Sequence, residues 1–172
     1  MAKTNAQTAH SCTLRQIVSG GQTGVDRAAL DAAMQLGIAV GGWCPKGRRS
    51  ADGVIPQRYP LRETRDPNYR TRTRRNVRDS DATLILCRDE PGGGTALTIT
   101  CCEQLGRPYA IVRLADGKTG RTADKDFSEV LGWLAGLHVG VLNVAGPRET
   151  RHRPIYLLAY GFLAGLLDRL PR

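Results

Sequence analysis

Short apolar runs alternate along the chain with longer segments in which apolar residues recur every three or four positions. The short runs have the character of buried strands, and we place them at residues 14–18, 38–40, 82–87, 109–114 and 139–144. The longer segments predict helices at residues 25–36, 68–78, 97–105, 127–137 and 155–170. Strands and helices that alternate in this way predict an α/β fold with a mainly parallel sheet covered on both faces.

Glycine, proline and capping residues mark the connections between these elements. Gly37 and Gly106 follow predicted helices at the point where a helix ends. Asp66 is the predicted N-cap of the second helix, with Pro67 at its first helical position. Residues 41–59 are rich in glycine, proline and charge and predict an extended surface loop, and residues 116–125 predict a polar turn.

The 172 residues fit one domain, which we place at residues 12–172 behind a flexible N-terminal tail of residues 1–11. This tail lacks the apolar core of a signal peptide, and no apolar run reaches the ~18 residues of a membrane span, so we expect a cytoplasmic protein. The five cysteines lack zinc-site spacing, so we expect most of them to be small buried hydrophobes. The three histidines are too dispersed to predict a metal triad or a nucleophilic triad.

The chain is strongly basic, with 25 Lys+Arg against 16 Asp+Glu and a formal net charge of +9. This charge favours anionic partners without identifying them. A nucleic-acid or nucleotide-signal binding module is therefore one hypothesis. We rank it last, because two Trp and two Phe provide little for base stacking.

Two glycine-rich loops each follow a predicted strand and lead towards a predicted helix: Ser19-Gly20-Gly21-Gln22-Thr23-Gly24 and Pro91-Gly92-Gly93-Gly94-Thr95. Neither is a Walker motif or a dinucleotide fingerprint. Glycine lets the backbone approach a ligand, and the first turn of a helix presents unpaired N–H groups. We expect a phosphate to bind these groups, so the candidate binding residues are Gly20, Gly21, Gln22, Thr23, Gly24, Gly92, Gly93, Gly94 and Thr95. Two tight turns without a ligand are the alternative.

A third glycine, Gly146, follows the strand predicted at residues 139–144. In an open parallel sheet, ligands bind beyond the carboxyl ends of the strands. All three glycine-containing loops lie at that edge. We therefore add Gly146 to the candidate binding residues.

Charged and polar side chains near the loops could complete the site. Asp26, in the first turn after the first loop, could hold Mg²⁺, orient a water as a catalytic group, or cap its helix. Arg27, beside Asp26 in the same turn, is a further candidate binding residue. Lys46 and Arg74 could reach polyphosphate oxygens, although for either of them alone a solvated surface position is favoured. Asn76 is a further candidate binding residue, with a role at the helix end as the alternative.

Several separate segments, taken in order, resemble the molybdenum carrier protein family. They are Ser19-Gly20-Gly21-Gln22-Thr23-Gly24-Val25-Asp26-Arg27-Ala28-Ala29-Leu30-Asp31, Gly41-Gly42-Trp43-Cys44-Pro45-Lys46-Gly47-Arg48, Asp52-Gly53, Tyr69, Arg72-Thr73, Asn76-Val77, Ser80-Asp81, Gly93-Gly94-Thr95 and Asn143-Val144-Ala145-Gly146-Pro147-Arg148-Glu149. The resemblance covers nearly the whole chain from about Arg15. It implies a Rossmann-like three-layer αβα sandwich related to the lysine-decarboxylase-like, or SLOG, nucleotide-binding proteins.

The same resemblance implies function. Members of the family with a role bind and carry molybdenum cofactor, a pterin (molybdopterin) with a terminal phosphate, and others are predicted to bind nucleotides. It also implies a homo-oligomer, a dimer or tetramer, with molybdoenzymes or cofactor-biosynthesis proteins as possible partners. Our leading hypothesis is a cytoplasmic binding or carrier protein for molybdenum cofactor or a nucleotide.

One departure from the wider superfamily bears on catalysis. Cytokinin-activating relatives carry Pro-Gly-Gly-x-Gly-Thr and, two residues later, a catalytic Glu. Here the loop is one residue shorter, and Thr98 stands where that Glu would be. Phosphoribohydrolase activity is therefore disfavoured. An enzymatic alternative, an Mg²⁺-dependent nucleotide phosphohydrolase, depends on Asp26.

Overall fold

The computed structural model describes residues 13–114 and 122–171. The predicted tail of residues 1–11 and most of the polar turn predicted at residues 116–125 lie outside the described residues. The described residues form nine strands: β1 Gln16–Val18, β2 Ala39–Gly41, β3 Trp43–Cys44, β4 Arg49–Ser50, β5 Gly53–Val54, β6 Arg62–Glu63, β7 Ala82–Cys87, β8 Tyr109–Arg113 and β9 Val141–Ala145. The helices are α1 Val25–Gln35, α2 Tyr69–Arg78, α3 Gly93–Leu105, α4 Thr122–Gly136 and α5 Tyr156–Asp168.

Five strands form one central sheet in the order β2-β1-β9-β7-β8. All four pairings in this sheet are parallel, and the interior strand β7 is buried at every position. The chain runs outward from β1 to β2 on one side and from β7 to β8 on the other, and β9 lies between these two halves. The carboxyl ends of β1, β9 and β7 are therefore neighbours at the point where the strand order reverses.

Helices pack on both faces of this sheet. The main core joins α1, α4 and α5 to side chains such as Leu84, Leu86, Leu142 and Val144. A smaller cluster on α2 and α3 contains Val77, Cys101 and Cys102. This three-layer arrangement confirms the predicted Rossmann-like α/β fold. Within the described part of the chain, no helix has both the length and the apolar character needed to cross a membrane.

The four described cysteines are free and buried, as the sequence predicts for small hydrophobes: Cys44, Cys87, Cys101 and Cys102. Burial raises the pKa of each thiol above its usual value, because the charged thiolate is poorly solvated in the interior. These thiols are therefore protonated packing groups at neutral pH.

Residues 41–59 do not form the extended surface loop that the sequence predicts. This segment and the residues after it contain two small sheets, β3 with β6 and β4 with β5. They also build a separate core from Cys44, Ile55, Tyr59 and Leu61, packed on Leu30 of α1. The prediction was wrong because the buried apolar residues are few and widely spaced, so they lack a helical or strand period.

Buried Arg48 holds this segment together from within. Its backbone φ of 51° lies in the left-handed region, and its side chain is covered. The guanidinium donates hydrogen bonds at 2.9–3.2 Å to the backbone oxygens of Ile55, Pro56, Tyr59 and Leu61. One arginine therefore satisfies four carbonyl groups that regular secondary structure does not pair.

Helix boundaries differ from the prediction at several points. The N-cap of α2 is Asn68, whose side chain accepts a hydrogen bond from the Arg70 N–H, whereas the side chain of Asp66, two residues earlier, accepts from the Asn68 N–H. The second glycine loop is itself the start of a helix, because α3 begins at Gly93. Leu137, the last residue of the helix predicted at residues 127–137, lies beyond α4 and is 43% exposed.

We expect Arg48→Ala to lower the free energy of unfolding by about 3 kcal/mol, since four buried carbonyl oxygens lose a charged donor. Chemical denaturation followed by far-ultraviolet circular dichroism measures this loss. Arg49→Ala is the matched control: Arg49 is exposed and donates no side-chain hydrogen bond to another described residue, so its removal should change stability by less than about 0.5 kcal/mol. Equal losses in both variants would contradict the role given to Arg48.

Candidate ligand-binding site

The loops after β1, β7 and β9 border a cavity of about 510 Å³ at the carboxyl edge of the sheet. We call it the glycine cavity. It is lined by Gln22, Asp26, Ala51, Tyr69, Arg72, Thr73, Gly92, Gly93, Gly94, Thr95, Leu97, Gly146, Pro147, Arg148 and Thr150. Its volume lies within the range of small-ligand sites.

The glycines of the first loop and Gly146 are required by contacts inside the protein. Gly24 has a φ of 82°, and a Cβ at this position would lie 2.5 Å from the carbonyl oxygen of Pro147. A Cβ on Gly146 would lie 2.3 Å from the carbonyl oxygen of Leu86. These glycines therefore allow the loop after β9 to pack directly against the backbones of the loop after β1 and of strand β7.

The second loop has the opposite character. Gly92, Gly93 and Gly94 are exposed, and a Cβ on any of them would find no atom within 4 Å. Gly92 is the N-cap of α3 and provides no side-chain cap. The Thr95 and Ala96 N–H groups donate to the Gly92 carbonyl, whereas those of Gly93 and Gly94 have no acceptor among the described residues, and the partial positive charge of the helix end is uncovered.

Arg72 crosses the floor of the glycine cavity and pairs with Asp26. Its Nη1 lies 2.9 Å from Asp26 Oδ2, which also accepts from the Gln22 N–H at 3.2 Å. A Cβ on Gly20 would lie 1.2 Å from Arg72 Nη1, so a glycine is needed where the guanidinium crosses the loop. The buried Nε of Arg72 has no hydrogen-bond partner among the described residues. One donor of this guanidinium is therefore left unused by the protein.

The glycine cavity has a positive balance of charge. The Asp26 carboxylate is paired with Arg72, and Arg148 adds a further positive charge at an exposed position. The aromatic ring of Tyr69 is 42% exposed and lies 5.8 Å from the Arg72 guanidinium. The cavity thus combines a helix N-terminus, arginine donors and one accessible aromatic face.

Seven predicted site residues line this cavity: Gln22, Asp26, Gly92, Gly93, Gly94, Thr95 and Gly146. Sequence reasoning missed Tyr69, Arg72 and Thr73 as binding candidates. Their spacing of three and four residues on α2 places them on one helix face and is the signal that could have found them. This spacing is hard to recognise in the sequence, because the exposed arginines of the same helix carry the more obvious charge.

Three other predicted residues lie away from both loops. Lys46 is exposed and lines neither this cavity nor the neighbouring one described below. Arg74 is exposed and reaches Gln104 at 3.5 Å. Asn76 is buried and binds the backbone of Trp43, accepting from its N–H at 2.7 Å and donating to its carbonyl at 3.0 Å. The contacts of Asn76 connect α2 to β3.

A second cavity of about 540 Å³ adjoins the first, because Ala51 and Thr150 line both. We call it the tyrosine cavity. It contains the predicted residues Thr23, Gly24 and Arg27, and its full lining is Thr23, Gly24, Arg27, Asp31, Ala51, Asp52, Arg58, Tyr59, Glu149, Thr150, Arg151 and Tyr156.

Arg27 is held by protein groups at this second cavity. It donates to both Asp52 oxygens at 2.6 and 2.8 Å, to Ser50 at 3.1 Å and to the Gly21 carbonyl at 3.1 Å. The hydrogen bonds from Arg27 and Ser50 lower the pKa of Asp52 to about 2. Asp52 is therefore ionised at neutral pH and ties residues 50–52 to the first glycine loop.

Within the described ranges, no group of three or more His, Cys, Asp or Glu side chains is arranged to hold a metal ion. Asp26 offers one carboxylate, and Arg72 and the Gln22 N–H both bind its Oδ2. Mg²⁺ in proteins is usually bound through one or two carboxylates together with substrate phosphates. A metal ion at Asp26 would therefore need oxygen ligands from a bound phosphate.

The two kinds of glycine should respond differently to alanine. We expect Gly24→Ala to lower the free energy of unfolding by about 2 kcal/mol or more, because the positive φ and the Pro147 contact both oppose a Cβ. Gly94→Ala, on a helix with open space around it, should be neutral or raise stability by up to about 1 kcal/mol. Thermal and chemical unfolding measure both. A loss at Gly94 as large as that at Gly24 would contradict the distinction.

Comparison with known proteins identifies the family to which this chain belongs. The circularly permutated YpsA SLOG family matches residues 17–167. A crystal structure of a "Putative molybdenum carrier protein" from Syntrophus aciditrophicus is similar to this chain, with a TM-score of 0.84 and 39% sequence identity over 90% of this chain and 96% of that one. No curated protein matches. These matches confirm the resemblance drawn from the sequence, and the chain belongs to the circularly permutated YpsA SLOG family.

Proposed function

We propose that this protein binds and carries a small phosphorylated heterocycle, molybdenum cofactor first and a nucleotide second, in the glycine cavity. The observation that carries the proposal is the uncovered N-terminus of α3, where three glycines leave open space above free N–H groups. The Syntrophus relative is described as a molybdenum carrier protein, and that description supports the first choice of ligand.

The donor groups suit a phosphate. The N–H groups of Gly93 and Gly94 can each donate to a phosphate oxygen, and the helix dipole favours the negative charge. The Arg72 side chain lines the same cavity, and its guanidinium adds a positive charge for the phosphate. These groups are held in place before the ligand arrives, so binding orders few side chains and loses little conformational entropy.

Asp26 acts in this proposal through Arg72. Its carboxylate fixes the guanidinium across Gly20, where the Arg72 side chain lines the cavity. A side chain held by a buried partner needs no further ordering when the phosphate binds. Asp26 is thus a positioning residue for the proposed anion site.

The homo-oligomer and the exchange of cargo with molybdoenzymes or cofactor-biosynthesis proteins stay predictions that follow from the resemblance. A carrier must both protect and release its cargo. The glycine cavity is open to solvent along Gly92–Gly94, which supports exchange without unfolding of a lid.

A nucleotide phosphohydrolase is the second candidate, and one observation favours it. Asp26 Oδ1 accepts no hydrogen bond from the described residues, so it can orient a water or bind Mg²⁺ together with substrate phosphate. In this reading Arg72 neutralises charge that develops on the phosphate. Asp26 would then be the catalytic group.

Gly94→Leu should weaken binding of molybdenum cofactor or of AMP, ADP and ATP by about a hundredfold or more, because the side chain occupies the phosphate position. Isothermal titration calorimetry measures the loss. Gly132→Leu is the matched control, since Gly132 is an exposed helical glycine on α4 with open space around it. The proposal fails if the wild-type protein binds neither class of ligand at micromolar concentration, or if both variants bind equally well.

Asp26→Asn separates the two candidate functions. For a carrier, loss of the ion pair lets Arg72 move, and ligand affinity should fall by about tenfold without any phosphate release from nucleotides. For a phosphohydrolase, the wild-type protein releases phosphate in an Mg²⁺-dependent reaction that disappears in Asp26→Asn. A colorimetric phosphate assay with and without EDTA, run beside calorimetry, measures both. Turnover that survives the substitution removes Asp26 from the chemistry.

A further inference from the structure

Tyr69 differs in its contacts from the other four tyrosines of the chain. The hydroxyl groups of Tyr59, Tyr109 and Tyr156 donate to carboxylates at 2.8–3.2 Å, and the ring of Tyr160 stacks on that of Tyr156. Tyr69 makes neither kind of contact with the described residues, and it is 42% exposed. Because it lines the glycine cavity, its exposed surface is available to a ligand there.

The backbone that carries Tyr69 is fixed before any ligand binds. Tyr69 is the first residue of α2, whose N-cap Asn68 accepts from the Arg70 N–H at 2.9 Å. The side chain of Asp66 accepts from the Asn68 N–H at 2.8 Å, and its carbonyl oxygen accepts from the Thr64 hydroxyl at 2.6 Å. The ring therefore projects from an ordered helix end, so a ligand that contacts it has only side-chain freedom to restrict.

The first turns of α2 and α3 are neighbours at the glycine cavity. Tyr69 and Gly93 begin these two helices, and both residues line the cavity. Eight residues further along each helix, Val77 and Cys101 belong to one buried cluster, so the helices run side by side in the same direction. The Tyr69 ring and the N–H groups proposed to bind phosphate therefore lie at adjacent helix ends, on one cavity of about 510 Å³.

Arg72 lies beside the Tyr69 ring and leaves much of it accessible. Its guanidinium carbon is 5.8 Å from the ring centroid, close to the ~6 Å limit of a cation–π contact, and Asp26 holds the guanidinium at 2.9 Å. Leu97 and Pro147 add apolar side chains to the same lining. The cavity thus combines donors for an anion with an aromatic and apolar wall, an arrangement that suits a flat ring joined to a phosphate.

We propose that the heterocyclic ring of the ligand stacks on the exposed face of Tyr69 while its phosphate binds at the first turn of α3. The inference rests on the proposed function and assigns the residue that holds the ring. Stacking on an aromatic side chain tolerates different bases, because every flat heterocycle has a π face. Tyr69 therefore selects a phosphate that carries a purine or pterin ring over the same phosphate without a ring.

Selection for a ring can be measured on the unmodified protein. Calorimetric titration with AMP and with ribose 5-phosphate compares the same sugar phosphate with and without a base, and neopterin monophosphate tests the pterin source in a parallel arm. We expect AMP or the pterin phosphate to bind at least about tenfold more tightly than ribose 5-phosphate. The tighter of the two ring ligands identifies the source.

Two failures of this titration have different meanings. If ribose 5-phosphate binds as tightly as both ring ligands, the inference about Tyr69 is overturned, and the phosphate site at α3 still stands. If none of the three ligands binds, the proposed function itself fails.

Substitutions at Tyr69 test the residue directly. We expect Tyr69→Ala to weaken binding of the tighter ring ligand by about tenfold or more, while the affinity for ribose 5-phosphate stays within about twofold. Tyr69→Phe should keep both affinities within about twofold, because it retains the ring face and loses only the hydroxyl. Met34→Ala is the matched control, since Met34 is 40% exposed on α1 and lines neither cavity.

Three results at Tyr69 would contradict stacking. They are an unchanged affinity for the ring ligand in Tyr69→Ala, an equal loss for ribose 5-phosphate in that variant, and a loss in Tyr69→Phe as large as that in Tyr69→Ala. Circular dichroism checks that each variant is folded. If Tyr69→Ala does not fold, Tyr69→Leu takes its place, because leucine keeps an apolar side chain at this helix end and removes the aromatic face.

Discussion

Direct contact between the backbones of the loops after β1 and β9 is the constraint on which the rest of the ligand site depends. Val25 N–H donates to the Pro147 carbonyl at 3.2 Å, and no Cβ fits at Gly24 beside that carbonyl. The loop after β9 is held in turn against β7, because Gly146 lies on the Leu86 carbonyl. With the loops locked together, the first turn of α1 lies between two cavities, and Asp26 faces one while Thr23 faces the other.

The periodic parts of the fold follow directly from the sequence. The strand at residues 82–87 agrees at both ends because it is buried on both faces and apolar throughout. The helix after the first glycine loop agrees within a residue, because its alanines repeat at the helical period. The glycine loops also mark the correct edge of the sheet. Local pattern is sufficient here because each element buries a face that its own residues define.

Long-range pairing explains what the sequence does not predict. Arg48 and its exposed neighbour Arg49 are the same residue type in the same segment. Arg48 is nevertheless buried, because its guanidinium donates to carbonyl groups that lie 7–13 residues further along the chain. Arg72 meets Asp26 across 46 residues. Nothing in the local pattern separates Arg48 from Arg49, and only its position on the same helix face as Tyr69 separates Arg72 from the other arginines of α2. Likewise, all the glycines look alike in sequence, and only the neighbouring atoms distinguish those needed for packing from those that leave a helix end open.

The strongly basic character of the chain contributes little to the site itself. Arg70, Arg74 and Arg78 form an exposed row on α2, and none of them lines either cavity. Exposed charges outside the cavities act mainly on the rate at which an anion reaches the protein, because salt screens their field over about 10 Å. In the proposed site, affinity depends instead on the N–H groups of Gly93 and Gly94, which the fold leaves unpaired, and on the Arg72 guanidinium beside them. The composition therefore predicts the sign of the ligand's charge. In the proposed site, the positions of the unpaired donors select the anion.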